Sequence, residues 1–268
     1  GRGVTVNVPS AANNVIQYND ISDSEITAWS SVNWNWVKAT YFERSGISFS
    51  SGSGNIARYN KIRTIFNGID AGVWDGLYNE AYNSDVDVYE NDIADFGDDG
   101  LEPEGTCMNT RFWKNTIAKG LHPISLAPIT IGPCYVMYNV LSDFTGGSGA
   151  YKLNVNPPDA PDKVLDGTIL IYHNSAYTAV DGTNTFSVYE SLPFSRTTFR
   201  NNIFYAARYA VENTSPVNVP VFSFDYDLMF HPDAALNLVK WKNVRYLTLA
   251  DWQKAGDGYE AHGVSADP

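Results

Sequence analysis

An aromatic residue, an asparagine one or two places later, and an apolar residue two places after that form a unit that recurs along this chain. It reads "YNDI" (18–21), "YNKI" (59–62), "YENDI" (89–93), "WKNTI" (113–117), "YNVL" (138–141), "YHNSA" (172–176) and "FRNNI" (199–203). The aligned asparagines are Asn19, Asn60, Asn91, Asn115, Asn139, Asn174 and Asn201, separated by 41, 31, 24, 24, 35 and 27 residues. A shortest step that recurs, with longer steps between, describes one structural turn into which loops have been inserted. Strand-like runs precede the asparagines: "VTVNV" (4–8), "VDVY" (86–89), "YVMY" (135–138) and "TILIY" (168–172). A second apolar run follows them, in "GID" (68–70), "GLE" (100–102), "ISL" (124–126) and "YKL" (151–153). Each turn therefore holds at least two strands, which is the pattern of an all-β parallel solenoid of about seven coils. An asparagine repeated at a bend suits that fold, because its amide can bond both the local backbone and the next amide along the stack.

Composition narrows the function classes. The 268 residues carry a net charge of −12 without a basic run, which argues against nucleic acid as a partner. No apolar stretch reaches the ~18 residues of a membrane span. Cys107 and Cys134 are the only cysteines, and with no CxxC or Cys/His cluster a structural zinc site is excluded. Aromatic residues make up 14%, enough to line a carbohydrate site as well as a core.

The stretches "GISFSSGSGNIARYNKI" (46–62), "VDVYENDIADFGDDGLEPEG" (86–105), "GPCYVMYNVLSD" (132–143) and "ILIYHNSAY" (169–177) resemble coils of the right-handed parallel β-helix proteins of the pectate-lyase-like superfold. The tail "YLTLADWQKAGDGYEAHGVSADP" (246–268) resembles the closing segment of bacterial members. The resemblance implies a right-handed β-helix over 1–245 and a small helical and loop cap over 246–268. Within that cap, Thr248 and Asp251 are placed to start a short helix that stops before Gly256. It also implies a polysaccharide partner, a site in a groove on an outer parallel sheet, and a location outside the cell or on its surface. The superfold carries lyases, hydrolases, epimerases, esterases and adhesins, so the reaction must come from the residues.

Alignment on the repeat asparagine brings Asp70, Glu102, Ser125 and Lys152 or Asn154 to similar offsets, each next to an apolar residue that should point inward. The segment "FGDDGLEPEG" (96–105) adds Asp98, Asp99 and Glu104. Three readings of this acidic turn stand side by side. It is a calcium site of Asp98, Asp99, Glu102 and Glu104, or a pair of carboxylates for glycoside hydrolysis, or a solvated turn on the outer surface. A polysaccharide lyase, the reading the resemblance places first, needs a base. Lys152 is the best placed by register, Arg111 in "NTRFWKN" is second, and His122 in "GLHPIS" is a candidate acid or base. Asp70, Ser125 and Asn154 are then substrate-binding candidates. Glycoside hydrolysis, or glycan adhesion without catalysis, are the alternatives. A chain at −12 repels a polyuronate unless a local cation reverses the field.

Two further expectations concern packing. Cys107 and Cys134 stand 8 and 5 residues before their repeat asparagines, so contact between them needs a bulge at Cys107, and a bridge would stabilise by about 3 kcal/mol. Val4, Val6 and Val8 alternate as strand residues, so the first coil is expected to be an open end suited to self-association. The alternative is that Trp29, Trp34 and Trp36, in the loop-rich segment 25–55, fold back and seal it.

Overall fold

In a computed structural model the chain is described over residues 2–8, 10–23, 25–26, 28–73, 82–153, 167–189, 196–214 and 222–268. It is an all-β parallel solenoid of about six turns with short helices at Trp34–Ala39 and Leu249–Lys254. One turn illustrates the rest. Asn67–Asp70 lies in a six-stranded sheet, Asn83–Ser84 in a small four-stranded sheet, and Asp87–Tyr89 in an eight-stranded sheet. The chain then bends at Asn91, runs through Asp92–Phe96 in a second eight-stranded sheet, and returns to the six-stranded sheet at Asp99–Glu102. No helix is long and apolar enough to cross a membrane among the described residues.

The bend is built the same way each time. The residue before the ladder residue takes a left-handed conformation: Tyr18, Tyr59, Glu90, Lys114, Tyr138, His173, Asn201 and Tyr226 have φ between 51° and 65°. That conformation costs an L-residue roughly 1–2 kcal/mol. The offset comes from the next residue. Asn60 donates both its backbone N–H and its Nδ2 to Asn91 Oδ1, at 3.1 and 2.9 Å. Asn91 does the same to Asn115, Asn115 to Asn139, Asn139 to Asn174, and Asn174 to Asn202. Each buried amide also donates to a backbone carbonyl, as Asn115 Nδ2 does to Val88 O at 2.9 Å. The buried asparagine amides of the corner are thereby satisfied.

One assignment needs correction. The ladder residue of the seventh repeat is Asn202, not Asn201, which instead occupies the left-handed position. The reason is the core: with Asn202 in the ladder, Phe204 lies two residues on and is buried, whereas Ile203 is only half-buried. The ladder also has an eighth member, Asp227, whose Oδ1 accepts from Asn202 N and Nδ2 at 2.6 and 2.9 Å.

Inside, three apolar ladders meet. Val4, Ile47, Ile69, Leu101, Ile124 and Tyr151 are in register on the six-stranded sheet. Ala57, Val88, Phe112, Val136, Ile171, Phe199 and Phe224 line one eight-stranded sheet, and Ile62, Ile93, Ile117, Leu141, Ala176, Phe204 and Met229 the other, all buried. In the first turn, Val4, Val6, Ile16 and Ile21 are only half-buried, and the strand ends at Val6, leaving Val8 half exposed. The tryptophan segment does not lie over them: Trp29 packs on Phe42 and Phe66, beside the strands Lys61–Ile65 and Asp92–Phe96. At the other end, Thr248 accepts from Asp251 N to start the helix Leu249–Lys254. Its Trp252 packs on Trp241, Tyr259 and Phe224.

Cys107 and Cys134 are both buried and unbridged. They are nonetheless neighbours: burial, then the Cys107 side chain beside it, pushes the Cys134 thiol up. Cys134 is in register with Thr110, so the three residues from Cys107 to Thr110 supply the excess that this contact requires.

Two predictions follow from the ladder. Asn202→Ala strands the Asn174 N–H and Nδ2 in the interior, at about 1–3 kcal/mol per group, so urea unfolding should show a loss of at least about 2 kcal/mol. Asn201→Gly, at the left-handed position, should change stability by a few tenths of a kcal/mol. Equal effects would contradict the reassignment.

The second concerns the carboxyls that end the ladder. Asp227 N donates to Glu260 Oε2 at 3.1 Å, and both side chains are buried. Burial pushes Asp227 up to about 6 and, with Asp227 beside it, Glu260 up to about 10. The folded pKa values lie above the unfolded carboxylate range near ~4. Their contribution to stability is therefore full below that range and is lost as pH rises through about 6 and onward to about 10. Asp227→Asn keeps the ladder acceptor and should flatten this decline in denaturant midpoint between about pH 4 and 6, where Asp227 contributes to it. A midpoint that declines as steeply in the variant would refute the assignment.

Candidate active site

The outer side of the six-stranded sheet carries two polar ladders flanking the buried row Ile69, Leu101 and Ile124. One is Ser48, Asp70, Glu102, Ser125 and Lys152; the other is Ser45, Asn67, Asp99 and His122. The first is the alignment expected from the repeat. The second follows from a spacing visible in the chain, since each member stands three residues before a member of the first.

The ladders are cross-linked diagonally. Ser45 Oγ donates to Asp70 Oδ2 and Asn67 Nδ2 to Glu102 Oε2, both at 2.5 Å. Lys152 Nζ reaches Asp99 Oδ2 at 3.2 Å and Glu104 Oε1 at 3.1 Å. Ser125 Oγ donates to the same Glu104 oxygen. Asp99, Glu102 and Glu104 each place a carboxylate oxygen within 4.8 Å of the others.

The expected solvated turn is corrected in part. Asp98 and Asp99 are buried, and only Glu102 and Glu104 are half-buried. Asp98 is covered because the segment inserted after the first turn folds over it: Lys38, on the helix Trp34–Ala39, places Nζ 3.3 Å from Asp98 Oδ2. Asp98 is thus ion-paired with Lys38 and is not a member of the oxygen cluster of Asp99, Glu102 and Glu104. This insertion, which also sets Lys38 Nζ 5.1 Å from the Trp34 ring centroid, carries no repeat signal and was not read as part of the site. Leu101 is fully buried, as the alternation requires.

Electrostatics separates the groups. Burial, then the neighbouring Asp98, holds Asp99 well above the ordinary carboxylate range. Burial, then Asp70 on the adjacent rung, does the same to Glu102. For Lys152 burial alone would favour the neutral amine, but Asp99 and Glu104 outweigh it and raise the pKa well above the ordinary lysine value. His122, in register with Asp99, is pushed down to about 3 by burial and the Lys152 cation, so it is a neutral imidazole near pH 7. Neither of its ring nitrogens has a hydrogen-bond partner among the described residues.

The structure thus brings together Asp70, Asp99, Glu102, Glu104, His122, Ser125 and Lys152. Arg111 is not with them. It lies on the outer face of an eight-stranded sheet, where Nε and Nη2 donate to Asp87 at 2.6 and 2.8 Å. Asn154 lies outside the described residues. Comparison with protein families, curated proteins and solved structures finds no match for this chain.

The oxygens of Asp99, Glu102 and Glu104 are hard donors of the kind calcium takes. The Lys152 ammonium is already bonded to two of the three, so a metal ion there would compete with it. This leads to a prediction. Millimolar calcium should leave the melting temperature of the wild type unchanged and raise that of Lys152→Met, whose carboxylates lack their cation. Without calcium, Lys152→Met should lose stability toward the low end of the about 3–5 kcal/mol for breaking a buried ion pair, because the lysine is partly exposed. A calcium-dependent rise in the wild type would mean that a metal displaces the lysine.

Proposed function

We propose that the chain is a polysaccharide-active protein of the right-handed, pectate-lyase-like kind, and that it hydrolyses a neutral or weakly charged glycan along the six-stranded sheet. The observation that carries this reading is the pairing of two unlike carboxyls at one place. Burial, then Asp70, raises the Glu102 carboxyl well above the usual carboxylate range, while Glu104 is ion-paired with Lys152. A carboxyl inclined to keep its proton beside a carboxylate paired with a cation is the arrangement of an acid and its partner.

In this scheme Glu102 gives its proton to the glycosidic oxygen as the bond to the anomeric carbon breaks. Glu104 attacks that carbon, forming a glycosyl ester, and water then cleaves the ester while Glu102 takes a proton back. The carboxylate oxygens, within 4.8 Å of each other, favour this retaining course, for which the carboxyl groups lie about 5–5.5 Å apart, over the wider inverting one. Lys152 keeps Glu104 in place, and Asp70 stands on the rung beside Glu102. β-Elimination would instead need a neutral base, and Lys152 is held as the charged ammonium by two carboxylates, which weighs against it in that role.

A panel of neutral and uronate polysaccharides tests the proposal. New reducing ends without the ultraviolet absorbance of an unsaturated product are expected on a neutral glycan. Glu102→Gln should lower turnover by roughly 10²–10⁴-fold. An unsaturated product would establish the lyase, and binding without cleavage of any glycan would establish an adhesive protein.

A further inference from the structure

The eight-stranded sheet that carries Arg111 presents a second arrangement, on a different face from the acidic ladders. Two outward rows run along it. One contains Asp87, Arg111 and Tyr135; the next contains Tyr89, Trp113 and Met137. Between them, at the corner residue Tyr138, lies an open depression of about 320 Å³ lined by Asp87, Arg111, Trp113, Met137 and Tyr138. This volume falls at the low end of the about 300–1,000 Å³ of small-ligand sites, so it admits a sugar ring and little more.

The chemistry of the lining selects the occupant. Tyr89 stacks on Trp113 with centroids 4.2 Å apart and planes at 16°, which fixes the indole in one orientation. On the next rung the row changes from aromatic to Met137, so the stack stops there and leaves room beside the indole. Tyr138, 54% exposed, forms one wall. The polar wall is the Asp87–Arg111 pair. Two guanidinium N–H groups are spent on the carboxylate, at 2.6 and 2.8 Å, so the pair has no net charge but keeps donors and acceptors to spare. An anionic ligand would find no uncompensated cation in this lining and would be repelled by a chain at −12. A neutral sugar matches on both counts. Its hydroxyls are donors and acceptors in one, and its C–H face meets the negative face of an aromatic ring.

We infer that this depression is a binding site for a pyranose ring of a neutral glycan, separate from the acidic cluster. It would hold a polysaccharide strand to the outside of the solenoid whether or not the acidic cluster cleaves it. The five lining residues come from three successive rungs of one rigid sheet, so the site is formed before the ligand arrives.

The test is binding of the full chain to an array of immobilised neutral oligosaccharides (gluco-, xylo-, manno- and galacto-configured) with oligogalacturonate alongside. Trp113→Ala should match the wild type in any glycan cleavage measured alongside, which separates this site from the proposed catalysis. Trp113→Ala should reduce binding to the neutral glycan at least tenfold. Tyr138→Asn, a change to the residue type found in the same corner position at Asn201, should reduce it severalfold with an unchanged melting temperature. If Trp113→Ala does not fold, Tyr138→Asn and Arg111→Met carry the test. Binding that survives these changes, preference for oligogalacturonate, or no binding to any neutral glycan would each overturn the inference.

Discussion

Everything in this molecule hangs on the amide ladder at one corner. A parallel coil must turn sharply and then return in register, and here it does so through a non-glycine residue in the left-handed region. The following asparagine makes that turn stable: at Asn115, Oδ1 accepts two hydrogen bonds from the rung before, and Nδ2 donates to the next Oδ1 and to a backbone carbonyl. Each rung thereby fixes the height and register of the next. Loop lengths elsewhere in the turn are then nearly free to vary, because closing a longer loop costs only slowly more entropy. Steps of 24 and 41 residues consequently coexist in one solenoid.

The same registration creates the acidic cluster. Asp70, Glu102, Ser125 and Lys152 are far apart in the chain and adjacent in space only because consecutive rungs are in step. Stacking like charges on adjoining rungs is unfavourable, and the fold accommodates it in two ways. Burial keeps Asp99 and Glu102 inclined to hold protons, and Lys152 supplies a cation between Asp99 and Glu104. A buried network of this sort contributes little to stability compared with apolar packing, which is a reason to look to it for function. The end of the ladder shows the same physics in a structural setting: Asp227 replaces asparagine, and its neighbour is a second carboxyl, Glu260, rather than another amide.

Much of this architecture was legible in the residues alone, for a physical reason. Strand alternation and the bend asparagine are local properties, repeated at intervals, so the solenoid, the buried Leu101 and the row from Asp70 to Lys152 could be read by aligning the repeats. The repeats alone do not choose between the adjoining asparagines 201 and 202, because the choice depends on which neighbour fills the core. That is decided by Phe204 packing against the rungs beside it.

What the amino-acid sequence determined by itself was periodic: fold class, register and the residue types on each face. What only the tertiary structure decided was aperiodic. Lys38 covers Asp98 from an insertion that has no counterpart in the other turns. Arg111, a candidate for the groove by residue type, belongs to another sheet and to Asp87. Cys107 and Cys134 meet without bridging, although the residue in register with Cys134 is Thr110. Contacts made by loops and between faces depend on where the whole coil brings distant segments, and no local pattern encodes that meeting point.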